Sequence, residues 1–389
     1  MTEWKEYKLG EIGTVITGKT PSARNPEDWG DNMLFITPSD YRNYRKYATN
    51  SERKLSKVGI DRFEKKILPA NSILVTCIGS DMGKVVMNWE SCITNQQINA
   101  IVPNTSVNNN FLYYRLISIY DTLRILGGDG TAVPIVNKSD FENIKIEIPP
   151  LPEQVRIASI LSSLDDKIDL LHRENKTLEA MAETLFKELV VNENNDGTLE
   201  NIISIQNGYA FKSKDFKETG EHQIIKIKNI SSGIIDIDST DCVDSDVLVD
   251  VSTKFKVNSG DVLIAMTGAE IGKLGVIPKN DKSLWLNQRV GLLVEKYKGA
   301  KYLAYLQLKS EYGQDYIENT ATGSAQPNIS GTGIEQCGFP ILDEEIIIQI
   351  SKQIGEFYDK IILNLGQINK VKEIRDNLLN KLMSNEINI

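Results

Sequence analysis

Residues Pro152 to Val190 carry apolar side chains at the alternating four- and three-residue steps of a coiled-coil seam, and no other stretch constrains the fold as tightly. The series is Ile157, Leu161, Leu164, Ile168, Leu171, Asn175, Leu178, Ala182, Leu185 and Leu189, with Asn175 its one polar member. The rhythm returns near the C-terminus in Ile350, Ile354, Phe357, Ile361, Asn364, Ile368, Val371, Arg375, Leu378 and Leu382, each displaced by 193 from its counterpart. Two matched long helices imply a duplicated chain. The expected organisation is a globular domain over 1–151, a helix over 152–190, a second domain over 191–342 and a second helix over 343–389.

At 389 residues the chain exceeds one ordinary core and suits two globular units plus helices. The opening MTEWKEYKLG carries no apolar run, and no window approaches the ~20 apolar residues of a membrane span. The expectation is a cytoplasmic protein with no membrane partner. Cys77, Cys92, Cys242 and Cys337 form no CxxC pair and the only histidines are His172 and His222, so reduced buried thiols are expected, with no metal site and no cofactor.

The net charge of −9 is unevenly spread. Residues 1–151 hold 18 basic and 17 acidic side chains, whereas 191–342 hold 15 and 20. Within the first segment, Tyr41 to Lys66 contains nine basic residues against three acidic ones, interleaved with Tyr41, Tyr44 and Tyr47. Such a run can follow a phosphate backbone with the tyrosines as stacking or packing groups, or it can be a solvated charged face.

The globular segments align as two copies. YKLGEIGTVITGKTPS opens the first and GTLENIISIQNGYAFKS the second, setting Leu9, Ile12 and Gly18 against Leu199, Ile202 and Gly208. Each reads as a strand leaving through glycine into a loop where backbone can approach a ligand closely. LFITPSDY and QIIKIKNI follow as strands with polar rims. NSILVTCIGSDMGKVVM then pairs with GDVLIAMTGAEIGKLGVI, matching Gly79, Gly83 and Lys84 to Gly268, Gly272 and Lys273. These are not Walker A loops, which need four residues between the glycines and Ser or Thr after the lysine; here three intervene, and Val85 or Leu274 follows. A β-hairpin with a glycine turn fits, its lysine within reach of a phosphate. TNQQI (94–98) matches LNQRV (286–290). Asn and Gln can bond adenine and Arg can bond guanine, but amides in an apolar strand more often join sheet to loop, which is the preferred reading. GGDGTAVPIV and ATGSAQPNI are likewise matched, each before a strand that ends at Pro149 or Pro340, where proline stops the strand and launches the long helix.

With TGKTPS, ILVTCIGSDMGK, TNQQI, GTAVPIV and above all IPPLPEQVRIASILSSLDDKI, the chain resembles the specificity subunit of type I restriction–modification systems over almost its full length. The C-terminal copy, FPILDEEIIIQISKQIGEFYDKI, departs from the motif, with Asp343 where Pro152 stands and Glu345 where Gln154 stands. The resemblance implies an α/β (α+β) fold: two pseudo-twofold-related target recognition domains with small twisted sheets, separated by two long helices in an antiparallel coiled coil. It also implies a non-catalytic DNA reader. Each domain would read one half of a bipartite, asymmetric double-stranded DNA target. The helices would dock two DNA methyltransferase subunits, and restriction/translocase subunits would join them. Duplicated but divergent copies fit unequal half-sites, and a helix on the order of 58 Å long suffices to set two domains about one DNA turn apart.

Antiparallel pairing would place Ile157 beside Leu382, Leu171 beside Ile368, Leu185 beside Ile354 and Asn175 opposite Asn364, a buried amide pair that fixes register. An enzyme is disfavoured: no glycine-rich cofactor loop or Walker A sequence is present, and both histidines are expected to be exposed. A protein-binding coiled-coil scaffold stays open as a second class, because Asp236, Asp238, Asp241, Asp244, Asp246 and Asp250 stand roughly where the first copy has its basic run. A local basic surface in the second copy would come from Lys212, Lys214, Lys226, Lys228, Lys254, Lys256 and Arg289. The candidate DNA contacts are Lys19, Thr20, Ser39, Arg42, Arg45, Ser80 and Lys84 in the first copy, and Tyr209, Lys212, Lys228, Asn229, Thr267, Lys273 and Gln326 in the second.

Overall fold

The computed structural model describes residues 4–43, 46–128, 134–190, 194–231, 233–323 and 327–386. They fall into two compact units. One comprises residues up to Lys167 together with those from Val371; the other is Ile168–Lys370. Each unit therefore includes a portion of both long helices, Leu151–Val190 and Glu344–Met383.

In the first unit the outer strand Gly13–Thr17 pairs antiparallel with Ile98–Pro103, which pairs with Ile73–Thr76, and that strand with Val85–Asn88. The last three are buried along most of their length, which explains their near-continuous apolar sequences. A smaller sheet joins Met33–Ile36 in parallel to Cys92–Thr94 and antiparallel to Arg53–Leu55. The second unit repeats the plan: Ile203–Asn207, Val290–Glu295, Val262–Ala265 and Leu274–Val276 run in the same order, and His222–Ile225 pairs in parallel with Ser283–Leu286. A short antiparallel pair closes each domain beside its long helix, Lys5–Lys8 with Lys145–Ile148 and Gly197–Thr198 with Gly338–Phe339.

The central helix starts after two prolines, with Pro152 in its first turn, where a missing N–H costs nothing. Its face Ile157, Ala158 and Leu161 packs into the first domain's core with Phe111, Leu112 and Tyr114, and the same core takes Leu379, Leu382 and Met383 from the other helix. At the edge of this core the Tyr114 hydroxyl donates to Asp165 at 2.5 Å, and Arg375 pairs with the same carboxylate at 2.9 Å. In the second unit Asn364 Nδ2 donates to Asn175 Oδ1 at 2.8 Å, while Gln353 and Phe357 lie against Thr177 to Glu188. In both units rising numbers on one helix meet falling numbers on the other, so the segments are antiparallel. The buried stripe drifts from the ideal heptad: Phe186 is buried and its neighbour Leu185 only half-buried, as expected when a 3.6-residue helix carries a 3.5-residue repeat.

No helix of the described residues is long and apolar enough to cross a membrane. Among them no group of His, Cys, Asp and Glu is arranged to hold a metal ion, and all four cysteines are free and buried.

Candidate nucleic-acid interface

The motifs that the two copies share converge at one end of each main sheet, and the same backbone hydrogen bonds hold them there. In the first domain Gly18 N donates to Ile98 O, Lys19 N to Thr94 O, Cys77 N to Gln97 O, Gly79 N to Pro134 O and Gly83 N to Thr76 O. In the second, Gly208 N donates to Val290 O, Tyr209 N to Leu286 O, Met266 N to Arg289 O, Gly268 N to Pro327 O and Gly272 N to Ala265 O. Gly18 and Gly208 must lack a side chain, since a Cβ would stand 2.2 Å from the carbonyl oxygens of Asn95 and Asn287. Gly79, Gly83, Gly268 and Gly272 all take positive φ, giving both hairpin turns the same path. Space is open where a side chain on Gly79 or Gly268 would point, the nearest atom being the Gln97 amide nitrogen at 3.8 Å in one and nothing within 4 Å in the other. A ligand can approach the backbone there.

Side chains dress this shared backbone differently. In the first domain Thr20 donates to Gln96 at 2.6 Å, and Lys19 and Thr20 line a cleft of about 490 Å³ with Arg62, Lys65 and Lys66. Ser39 and Ser80 are exposed. Lys84 is exposed too, but its ammonium is paired with Asp81 of its own turn at 2.7 Å. Lys273 is paired in the same way with Glu270. In the second domain Lys212 is exposed, Thr267 is half-buried, and Tyr209 is half-buried with its ring against Phe211 and Phe255. Asn229 is fully buried; its side chain accepts from Lys226 N and donates to Ser239 O, so its amide is spent on its own loop. Arg45, Gln326 and the side chain of Arg42 lie outside the described residues.

The basic run of the first domain is not one solvent-facing surface. Lys46 is buried, its ammonium donating to Ser162 Oγ at 2.7 Å and lying 5.0 Å from the Tyr114 ring centre. Arg62 pairs with Glu27 and Asp28, and Lys66 donates to Thr17 O. Tyr41 is buried, and Tyr47 packs edge-on against Trp89. Much of the acidic run of the second domain is likewise occupied. Asp241 binds both Lys226 and Lys228, and the Lys226 ammonium foremost holds its carboxyl below the usual carboxylate range. Asp238 pairs with Lys282 and Asp244 with Lys217. Asp236 caps its own loop through Asp238 N and Ser239 N. Three of the six aspartates of the run are thus paired with lysines, so part of the surplus of negative charge is cancelled locally and does not by itself bar a polyanion from the rest of the domain.

His222 is half-buried in a strand, between Ser283 Oγ and Ser245 Oγ, each 2.9 Å away. The Ser245 hydroxyl donates to Glu221, so His222 does not serve as its base.

A family model for the type I restriction modification DNA specificity domain matches twice, over residues 1–180 and 192–373. The chain belongs to that family. A type I restriction enzyme specificity subunit (MjaIX) of Methanocaldococcus jannaschii is 26% identical over 414 residues, covering 100% of this chain and 94% of its own. The HindI specificity subunit of Haemophilus influenzae is 36% identical over 195 residues, 48% of this chain and 41% of that one. Among solved structures, the type I restriction–modification S subunit of M. genitalium superposes with a TM-score of 0.63 at 17% identity, covering 98% of this chain and 96% of the other. Two tandem specificity domains with long helices are therefore the architecture of the chain.

Two members of these specificity domains had no legible role in the sequence. Gln154 is buried, accepts from Asn108 N and donates to Pro149 O and Ser106 O, locking the start of the central helix onto the first domain. Lys46 reads as one more surface cation, and only the fold reveals the apolar and aromatic site it enters.

Proposed function

We propose that this chain is the non-catalytic DNA-recognition subunit of a type I restriction–modification complex, each globular domain reading one half of a bipartite, asymmetric duplex. The observation that carries this reading is the loop cluster built twice on the same backbone hydrogen bonds and faced with different side chains. One scaffold repeated suits the repeated geometry of a duplex; different side chains suit two different half-sites. Lys19, Thr20, Ser39, Arg42, Arg45, Ser80 and Lys84 are the proposed contacts of the first domain. Tyr209, Lys212, Lys228, Thr267, Lys273 and Gln326 are those of the second. Lys84, Lys228 and Lys273 must exchange their carboxylate partners for phosphate, while the buried Asn229 acts by holding its loop.

The paired helices, 40 residues each, are the proposed spacer between the half-sites and the dock for two methyltransferase subunits, to which restriction subunits attach. The domains divide at 151, 190 and 342 on this reading, and Asn175 with Asn364 fixes the helix register. The test is reconstitution with the methyltransferase subunits, with the target identified by methylation-sensitive sequencing of the source genome. One bipartite duplex should be bound far more tightly than duplexes altered in either half, with an affinity that falls steeply as salt rises. Assembly with the methyltransferase but without sequence preference would mark the chain as a protein-binding scaffold.

A further inference from the structure

We propose that the position held by Gln97 in the first domain and Arg289 in the second determines sequence specificity, with Arg289 selecting a guanine in the second half-site; this rests on the function proposed above. Both residues occupy the same point of the loop cluster. Each offers its carbonyl to the end of the strand that enters the glycine hairpin, Gln97 to Cys77 N and Arg289 to Met266 N, and each follows an Asn whose carbonyl accepts from the next strand, Asn95 from Ile98 N and Asn287 from Val290 N. The backbone is therefore fixed at this point in both domains, and only the side chain differs.

Arg289 is exposed, and its guanidinium has no hydrogen-bond or ion-pair partner among the described residues. Neighbouring cations are in a different state: Lys273 is held by Glu270, and Lys226 and Lys228 by Asp241. A long cation left unpaired at a site where the turn beside it, at Gly268, leaves open space is placed to enter a groove. Gln97 is half-buried; its Oε1 accepts from Asn95 Nδ2 at 2.8 Å, and its Nε2 faces the open side of Gly79.

The exchange of Gln for Arg decides between phosphate and base. Phosphates are alike in both half-sites, so a phosphate clamp has the same reason to be a cation in each domain, as the turn lysines Lys84 and Lys273 are. A base-reading position has reason to differ. Arginine matches the O6 and N7 edge of guanine, and glutamine the N6 and N7 edge of adenine.

The experiment uses the full complex with methyltransferase subunits and a duplex library randomised in the second half-site. The wild type should select a guanine at one position at least. R289Q should lose roughly ten- to hundred-fold of the preference at that position, leave the other positions and the first half-site unchanged, and melt as the wild type does. R289K, which keeps the charge without the planar fork, should retain part of the preference. Three outcomes overturn the proposal: no guanine in the selected second half-site, an R289Q complex weakened equally on every duplex with a salt slope lower by about one, or an R289Q complex with unaltered selection. A wild-type complex that selects no bipartite target at all overturns the proposed function itself, a result recognisable before any variant is made.

Discussion

Asn175 and Asn364 satisfy only half of each other. Asn364 Nδ2 donates to Asn175 Oδ1, but Asn175 Nδ2 and Asn364 Oδ1 are buried with no partner among the described residues. A leucine pair would bury more apolar surface, so the amides cost stability, and the defined register proposed above is what they would give in return. N175L alone strands the Asn364 amide and should lower stability by roughly 1–3 kcal/mol, whereas N175L with N364L should be at least as stable as the wild type, measured by urea unfolding of the complete chain. A single variant as stable as the wild type would mean that the amide pair contributes nothing. The thiols make a second residue-scale prediction. Burial pushes Cys77 up to about 11, and Cys92 and Cys337 up to about 12. At pH 8 these three have almost no thiolate, and Cys242 is buried as well, so a disulfide reagent should titrate none of the four in the folded protein and all four in urea.

At the scale of elements, the junction between first domain and central helix depends on Gln154, whose amide bonds three backbone groups from two segments. Q154L should lower the unfolding stability by roughly 1–3 kcal/mol, because Asn108 N loses its acceptor and the carbonyls of Ser106 and Pro149, the latter buried, lose their donor. The corresponding Glu345 is exposed, and E345L should change little. A Q154L protein with wild-type stability would show that the helix start is held by its apolar face alone. The long helices were legible in the sequence because a seam of apolar residues at 3.5-residue spacing admits few other structures. The glycine turns were legible as well, since positive φ selects glycine. The basic run was not: whether Lys46 faces water or Ser162 depends on a helix more than a hundred residues away, and local charge carries no information about that. Nor did TNQQI and LNQRV separate structure from recognition. The fold shows the asparagine carbonyls bonded inside the turn and Gln96, Gln288 and Arg289 exposed on it, a difference of position that the local pattern does not carry.

Over the whole molecule, charge has to be counted after local pairing rather than before it. Domain two carries more acid than base, yet Asp241 alone neutralises part of both Lys226 and Lys228, and Lys217 and Lys282 have carboxylate partners of their own. Lys212 and Lys214 are exposed beside the Tyr209 loop without such partners among the described residues. Counterion release depends on the cations that meet phosphate, not on the net charge of the chain. In the reconstituted complex, K212A with K214A should therefore weaken binding to all duplexes alike and reduce the salt slope by up to about two, one for each cation that reaches phosphate. K226A with K228A removes the same formal charge but also frees Asp241. It should change the slope less than the first pair does. Equal loss of slope from both pairs would mean that Asp241 releases Lys226 as well as the proposed contact Lys228 when DNA binds, making the acidic loop part of the interface rather than a local counter-charge.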